Sequence, residues 1–227
     1  LCDRRQRQMC IRDRHNEYTG GLKLGASTTI AQYVLPPLLA SFIGKFPQVS
    51  LSLLNGNSRE IEAALQEHRI DLGFVEGVFR LPNIRYTTFL EDELVAVVRT
   101  GSKLAVGEEI TPDELFHLPL VLRERGSGTL DVFERALQQH NIKLSSLQVL
   151  MYLGSTESIK LFLEHTDCLG IVSVRSITRE LYSGQLRVVE IKGMPMLRDF
   201  SFAQPQGQES GLAQVFMQFA MHNNHKL

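Results

Sequence analysis

Short apolar segments set between helical patterns constrain the fold of this chain most. The segment IDLGFVEG, at residues 70–77, is apolar on both of the faces that a strand presents, and it ends in glycine. Strands of this kind occur in parallel sheets that are covered by helices on both sides. The sequence therefore predicts an α/β protein.

The first half of the chain alternates strands with helices. GGLKLGAST predicts a turn followed by a short strand from Leu22 to Gly25, and VSLSLLNG is a predicted strand. NSREIEAALQEH is a predicted helix capped by Asn57 or Ser58. Another helical pattern contains Pro36 and Pro37, so its first turns are expected to be kinked or separated from the rest. Its apolar residues recur every four positions and predict a buried face: Ile30, Val34, Leu38, Phe42 and Phe46.

The second half repeats this order. Thr111, Pro112 and Glu114 predict a capped helix start, and PLVLRE, LQVLMYL and LGIVSV are predicted strands separated by helices. The sequence therefore predicts two similar α/β subdomains of roughly 90 residues each. We assign residues 20–98 and 199–227 to subdomain I and residues 99–198 to subdomain II, with a ligand cleft between them.

The first residues differ from the rest. LCDRRQRQMCIRDR has several arginines, little apolar periodicity and two cysteines. It resembles the translation of sequencing-adaptor read-through, and we assign residues 1–19 to a non-native or disordered extension. The alternative interpretation is a basic arm that binds nucleic acid.

Composition narrows the class of protein. The 24 basic and 25 acidic residues give a net charge of −1, which argues against nucleic-acid binding by this chain alone. No apolar run of about 18 residues and no secretory signal are seen, so we expect no membrane contact. Three cysteines, Cys2, Cys10 and Cys168, form no disulfide framework, which favours a cytoplasmic location.

Hydroxyl side chains stand at three predicted strand-to-helix junctions. In open α/β sheets, ligands bind beyond the carboxyl ends of the strands, and helix N-termini favour anions. Simple N-capping uses the same residue types and is the alternative at each junction. We predict that all three junctions contribute to an anion site, with these residues: Ser27, Thr28, Thr29, Ser127, Ser155 and Thr156.

Three more residues complete the predicted site. Arg123 is predicted to pair with the anion, with a surface salt bridge to Glu124 or Glu91 as the alternative. Glu76 is predicted to accept a hydrogen bond from the ligand, or else to be solvated. Thr100 is predicted to line the cleft floor.

Signals for catalysis are weak. GSGT lacks the Gly-Lys-Ser/Thr ending of a P-loop, and no nucleophile stands at a recognisable spacing from a base. No cysteine or histidine spacing predicts a metal site. The sequence thus predicts a binding module with no cofactor rather than an enzyme.

Longer motifs resemble one family from Gly20 to about Phe219. GGLKLGASTTIAQYVLPPLLASFIGKFPQVSLSLLNGNSREIEAALQEHRIDLGFVEG, LRERGSGTLDVFERAL, GSTESIKLFLEHTDCLGIVSV and RDFSFAQP are similar to the effector-binding domain of LysR-type transcriptional regulators. The resemblance implies a two-lobed, type 2 periplasmic-binding-protein-like fold. Its sheets would be mostly parallel, with one antiparallel strand per lobe.

The same resemblance implies partners. A small anionic or carboxylate effector would bind, the chain would assemble as a dimer or tetramer, and DNA would be bound only through an N-terminal helix-turn-helix domain that this sequence lacks. A periplasmic solute-binding protein of a transporter shares the fold and is the alternative. An enzyme on the same fold ranks last.

Overall fold

The computed structural model describes residues 18–78, 80–104, 107–207 and 211–223. The chain forms two compact units: unit 1 contains residues 18–75, 80–90 and those from 200 onward, and unit 2 contains residues 76–78 and 91–199. The chain returns to unit 1 at residue 200, one residue after the predicted return at residue 199. After a short first passage through unit 2 at residues 76–78, the chain leaves unit 1 for its long stay in unit 2 between residues 90 and 91, whereas the prediction placed this crossing at residue 99.

Unit 1 is built on strands that alternate with helices along the chain. Its strand order is β2-β1-β3-β10-β4, and strands β4 and β10 each continue into unit 2. Its elements are β1 (Gly20–Ser27), a π-helical turn (Ile30–Val34), α1 (Leu35–Lys45), β2 (Val49–Gly56), α2 (Ser58–Gln66), β3 (Leu72–Glu76), β4 (Ile84–Arg99), β10 (Met196–Pro205) and α6 (Gly211–Asn223).

The first three strands of unit 1 are parallel, as the alternation of strand and helix requires. Strand β1 pairs with β2 from Gly20↔Val49 to Ser27↔Gly56, and with β3 at Leu24↔Leu72. A parallel register brings the carboxyl ends of these strands to one edge of the sheet. The residues that follow β1 therefore lie at the edge where ligands bind in such folds.

Aromatic residues fill the core of unit 1. The rings of Phe74 and Phe202 lie 5.2 Å apart between centroids, and those of Phe89 and Phe202 lie 4.7 Å apart. Phe42 of α1 packs on Phe216 of α6 at 4.8 Å. The last helix is thus part of this core. Most of the proposed N-terminal extension lies outside the described residues, but Tyr18 packs edge-on against Phe46.

Local sequence explains where two helices of unit 1 begin. Pro36 and Pro37 occupy the first turn of α1, where no backbone donor is needed. The predicted irregularity ahead of them is the π-helical turn. Helix α2 starts with a capping box: Glu60 N–H donates to Asn57 Oδ1 at 3.0 Å, and Asn57 N–H donates to Glu60 Oε2 at 2.8 Å. Asn57 is therefore the capping residue.

Unit 2 repeats the alternation of strands and helices. Its strand order is β4-β8-β6-β7, and β9 pairs with β4 and β5. Its further elements are β5 (Glu109–Ile110), β6 (Pro119–Arg123), α3 (Gly128–Gln139), β7 (Gln148–Leu153), α4 (Thr156–His165), β8 (Leu169–Ser173), α5 (Thr178–Tyr182) and β9 (Leu186–Ile191), with 3₁₀ turns at Pro112–His117, Leu144–Ser146 and Val174–Ser176.

The sheet of unit 2 is mostly parallel. Strand β6 runs parallel to β7 and β8, whereas β4 runs antiparallel to β8, with Leu94 opposite Ser173. The predicted α/β class, mostly parallel with an antiparallel strand, is confirmed. Within the described segments, no helix is both long and apolar enough to cross a membrane.

Candidate functional site

The first predicted junction lies at the carboxyl end of β1 in unit 1. Ser27, Thr28 and Thr29 are all buried, with at most 5% of each residue exposed. Thr28 Oγ1 donates to the carbonyl of Gly56, the residue that ends the neighbouring parallel strand β2, at 3.2 Å. This hydrogen bond links the carboxyl ends of β1 and β2 next to the start of the π-helical turn at Ile30.

Ser27 differs from its neighbours because its hydroxyl is buried without a hydrogen-bond partner among the described residues. Leaving a buried hydroxyl unpaired costs roughly 1–3 kcal/mol. Thr29 stands at the N-cap position of the π-helical turn and makes no side-chain capping bond. Capping, the alternative interpretation at this junction, therefore does not explain why hydroxyls stand here.

The second and third junctions lie side by side in unit 2, because β6 and β7 are neighbouring parallel strands. Ser127 caps α3: Leu130 N–H donates to Ser127 Oγ at 3.2 Å. Ser155 caps α4: Ser158 N–H donates to Ser155 Oγ at 3.1 Å. Ser127 and Ser155 thus both act as N-caps, of α3 and α4, and the N-termini of these two helices lie at one edge of the sheet.

The buried side chain of Arg123 lies between these two junctions and contacts residues of both. Only 1% of its side chain is exposed, and it forms a two-point ion pair with Glu124 at 2.8 and 3.0 Å. It also donates to Thr156 Oγ1 and to the carbonyl of Gly154, each at 3.4 Å. The salt bridge with Glu124, which was the alternative interpretation, is present, with the Arg123 side chain buried and the Glu124 side chain 26% exposed.

Glu76 lies beside the start of α3 in unit 2. Its Oε1 is 3.2 Å from Arg198 Nη1, and Thr129 Oγ1 donates to the same oxygen at 3.5 Å. A Cβ added at Gly128 would lie 2.3 Å from the carbonyl oxygen of Glu76. The second glycine of GSGT thus allows the helix to approach the backbone of Glu76, in addition to any part in ligand binding.

Sequence reasoning missed the residues that hold Glu76 in place. Arg198, with a fully buried side chain, pairs with Asp92 at 2.7 Å as well as with Glu76. Asp92 also accepts from Ser173 Oγ at 2.7 Å. The available signal was the presence of charged residues of opposite sign within two segments that are otherwise typical of strands, LEDELVAVV and MLRDFSF.

The structure does not bring Thr100 to these junctions. It follows β4, and β4 runs antiparallel to β8. The carboxyl end of β4 therefore lies at the opposite edge of the unit 2 sheet from Arg123 and Ser127. There Thr100 is exposed, and its N–H donates to the carbonyl of Gln185 at 2.8 Å.

Other groups in the described part of the chain offer less chemistry. No three His, Cys, Asp or Glu side chains in it cluster closely enough to hold a metal ion. Cys168 is fully buried, and burial raises the pKa of its thiol to about 11. The thiol therefore stays protonated near neutral pH, which is typical of a core residue rather than a nucleophile.

A cavity of about 610 Å³ in unit 1 contains none of the predicted site residues among the side chains described around it. It lies where α1 and α6 both end, and helix C-termini disfavour anions. Lys45 lies over the rings of Phe46 and Phe219, at 5.5 and 5.7 Å from their centroids. The cation there is already engaged with the protein's own aromatic rings.

Comparison with known proteins identifies the class of the chain. The family model for the LysR substrate binding domain matches residues 15–224, so this chain belongs to that family. It is 35% identical over 175 residues to the uncharacterised HTH-type transcriptional regulator YeiE of Escherichia coli K12, covering 77% of this chain and 58% of that protein.

Two further similarities are informative. The HTH-type transcriptional regulator CysL of Bacillus subtilis is 27% identical, covering 83% of this chain and 62% of CysL. The chain thus spans about three fifths of the length of these relatives. The structure of the Synechocystis PCC6803 CcmR regulatory domain in complex with 2-PG matches with a TM-score of 0.81 and 28% identity, covering 90% of this chain and 97% of that one.

Proposed function

We propose that this chain is the effector-sensing domain of a LysR-type transcriptional regulator and binds a small anionic metabolite through its hydroxyl-bearing helix starts. The family supports sensing rather than transport, so the solute-binding alternative is not favoured. The 2-PG complex of the CcmR regulatory domain supports a small anionic ligand. Phosphate or carboxylate oxygens suit the hydroxyls and backbone N–H groups of helix N-termini.

The buried Ser27 hydroxyl is the observation that carries this proposal. It lies at the carboxyl end of a parallel strand, next to Thr28 and Thr29, and has no partner within the described residues. An anionic oxygen accepting from this hydroxyl would offset the desolvation cost of the buried group. The two helix starts of unit 2 are proposed to add further donors: the hydroxyls of Ser155 and Thr156, and the first backbone N–H groups of the helix that Ser127 caps.

We further propose that the chain binds its ligand without converting it. The ligand would act by preferring one of two conformational states and so shifting their populations. The complete regulator is proposed to bind DNA through a separate domain, to work in the cytoplasm and to assemble as a dimer or tetramer. The description of CysL and YeiE as HTH-type regulators supports this view.

Replacing Ser27 by alanine tests the proposed site. Because the hydroxyl has no hydrogen-bond partner in the part of the chain that the structure describes, Ser27→Ala should leave the melting temperature of the free protein unchanged or slightly raised. A ligand at 100 times its Kd stabilises a protein by about 2.7 kcal/mol, so its effect on melting is easily measured. With 2-PG as the probe, we expect wild-type protein to be stabilised and Ser27→Ala to lose most of that response.

Ser50→Ala is the matched control. Its hydroxyl is also in unit 1 but donates to the carbonyl of Gly20 on an exposed face. This variant should respond to 2-PG as the wild type does. An equal response from Ser27→Ala and wild type would show that the predicted junction is not the binding site, and no response from wild type would exclude 2-PG as the effector.

A further inference from the structure

We propose that Arg198 is a positioning residue that fixes the first turn of helix α3, and with it the proposed anion site at Ser127. Arg198 lies on β10, far from α3 in sequence, and nothing in the family assignment gives it a role. Its side chain is fully buried and connects three partners, which with it form the Arg198 cluster: Arg198, Glu76, Asp92 and Thr129.

The geometry of the cluster fixes the Thr129 hydroxyl in one orientation. Arg198 Nη1 donates to Thr129 Oγ1 at 3.0 Å, so the hydroxyl must accept on that side. Its own proton then points toward Glu76 Oε1, 3.5 Å away. Because Thr129 is the second residue of α3, both bonds restrain the start of the helix.

Backbone packing restrains the same turn from a second direction. A Cβ at Gly128 would lie 2.3 Å from Glu76 O, and a Cβ at Gly77, whose φ is +108°, would lie 3.0 Å from Gly128 Cα. The first turn of α3 thus rests directly on the backbone of Glu76 and Gly77. Arg198 holds the side chain of Glu76 at that place, so the cluster and the packing act together.

Stability alone does not account for such a cluster. Burying charged groups costs solvation free energy, and replacing a buried ion pair by apolar residues is often neutral or stabilising. The Arg198 and Asp92 side chains are fully buried, and 1% of the Glu76 side chain is exposed. What apolar side chains cannot supply is the directed set of hydrogen bonds that places Thr129.

The test replaces the three charged residues of the Arg198 cluster together, so that none of the three is left as an unpaired buried charge. In the variant E76Q/D92N/R198M, we expect native-state hydrogen exchange of the Thr129 and Leu130 amides to become at least tenfold faster. Affinity for 2-PG should fall by a similar factor. The affinity measurement rests on the proposed function, whereas the hydrogen-exchange measurement does not. If the wild type does not bind 2-PG, hydrogen exchange alone still tests the positioning role of Arg198.

A second buried cation in unit 2 provides the control. Lys160 pairs with Glu157 at 2.7 Å and with Glu180 at 2.8 Å, away from the start of α3. The variant E157Q/K160M/E180Q should leave exchange at Thr129 and Leu130 and the affinity for 2-PG at wild-type values. If the Arg198 cluster only contributed to general stability, the Thr129 and Leu130 amides would exchange equally fast in the two triple variants. That result would overturn the proposal.

If the triple variant fails to fold, Thr129→Val gives the same test. Valine keeps the shape of threonine but removes the hydroxyl, and it leaves Arg198 paired with Glu76 and Asp92. We expect faster exchange of the Leu130 amide than in wild type. Unchanged exchange in Thr129→Val would show that the cluster does not position the helix.

Discussion

At the scale of single residues, the GSGT segment shows how one pattern serves two purposes. Its second glycine allows a close approach of protein backbone, because Gly128 packs on Glu76. The Ser127 hydroxyl caps the helix by accepting from Leu130 N–H and donates its proton to the carbonyl of Glu124, so it serves the protein rather than the proposed anion.

This packing predicts a large effect for a small substitution. In Gly128→Ala, the new methyl group would overlap the carbonyl of Glu76, and overpacking of this kind costs about 3 kcal/mol. Urea denaturation should therefore show a strongly reduced free energy of unfolding. Gly154→Ala is the control, since a Cβ there meets nothing within 4 Å, and its effect should stay within about 0.5 kcal/mol. Equal losses would contradict the packing argument.

Residue types and spacing predicted the junction residues but not their partners. Ser127 and Ser155 were found because hydroxyls before a helical pattern are a local signal. The ion pair of Arg198 with Glu76 joins residues 122 positions apart, and no local pattern reports such a contact. Arg123 was identified, but its burial depends on strand neighbours that only the folded sheet defines.

At the scale of elements, the strands and helices were largely predictable because capping and apolar periodicity are local. The predicted capping box at Thr111 is present, and Asn57, one of the two predicted caps of α2, forms a capping box as well. The exception is β4, a single strand of 16 residues whose centre is charged and therefore not typical of a strand in this sheet. Its central LEDEL segment reads as a break, although Asp92 is buried there by its pairing with Arg198.

The capping box of α2 gives a prediction at this scale. Asn57→Ala removes the acceptor for Glu60 N–H and should lower the free energy of unfolding by about 1 kcal/mol. Asn57→Asp keeps an acceptor at the helix N-terminus and should lose much less. Chemical denaturation of the two variants measures the difference. If aspartate and alanine destabilise equally, the cap does not contribute as the geometry indicates.

At the scale of the whole molecule, exposed apolar residues on β7 point to self-association. Strand β7 ends the unit 2 order, and three consecutive residues, Leu150, Met151 and Tyr152, are 53%, 46% and 43% exposed. Neighbouring residues of a strand face opposite ways, so both faces of β7 are open. Exposed apolar patches of this kind mark interaction surfaces, which fits the proposed dimer.

Sedimentation velocity tests this surface. We expect the wild-type chain to dimerise and Leu150→Lys to shift the equilibrium toward monomer by at least tenfold in Kd. The control is Leu161→Lys, which places the same charge on α4, where the leucine is 57% exposed. A wild type that stays monomeric at high concentration would exclude dimerisation by this chain, and equal weakening by both variants would exclude β7 as the specific interface.

The discontinuity of unit 1 has a consequence for synthesis. Phe42, Phe74 and Phe89 are made early, but they pack against Phe202 and Phe216, which lie beyond residue 199. Translation adds roughly 5–20 residues per second, so the intervening stretch of about 110 residues delays that packing by some 5–20 s. Through this interval these early aromatic residues lack their partners from the end of the chain, so we expect the nascent chain to expose apolar surface until synthesis is complete.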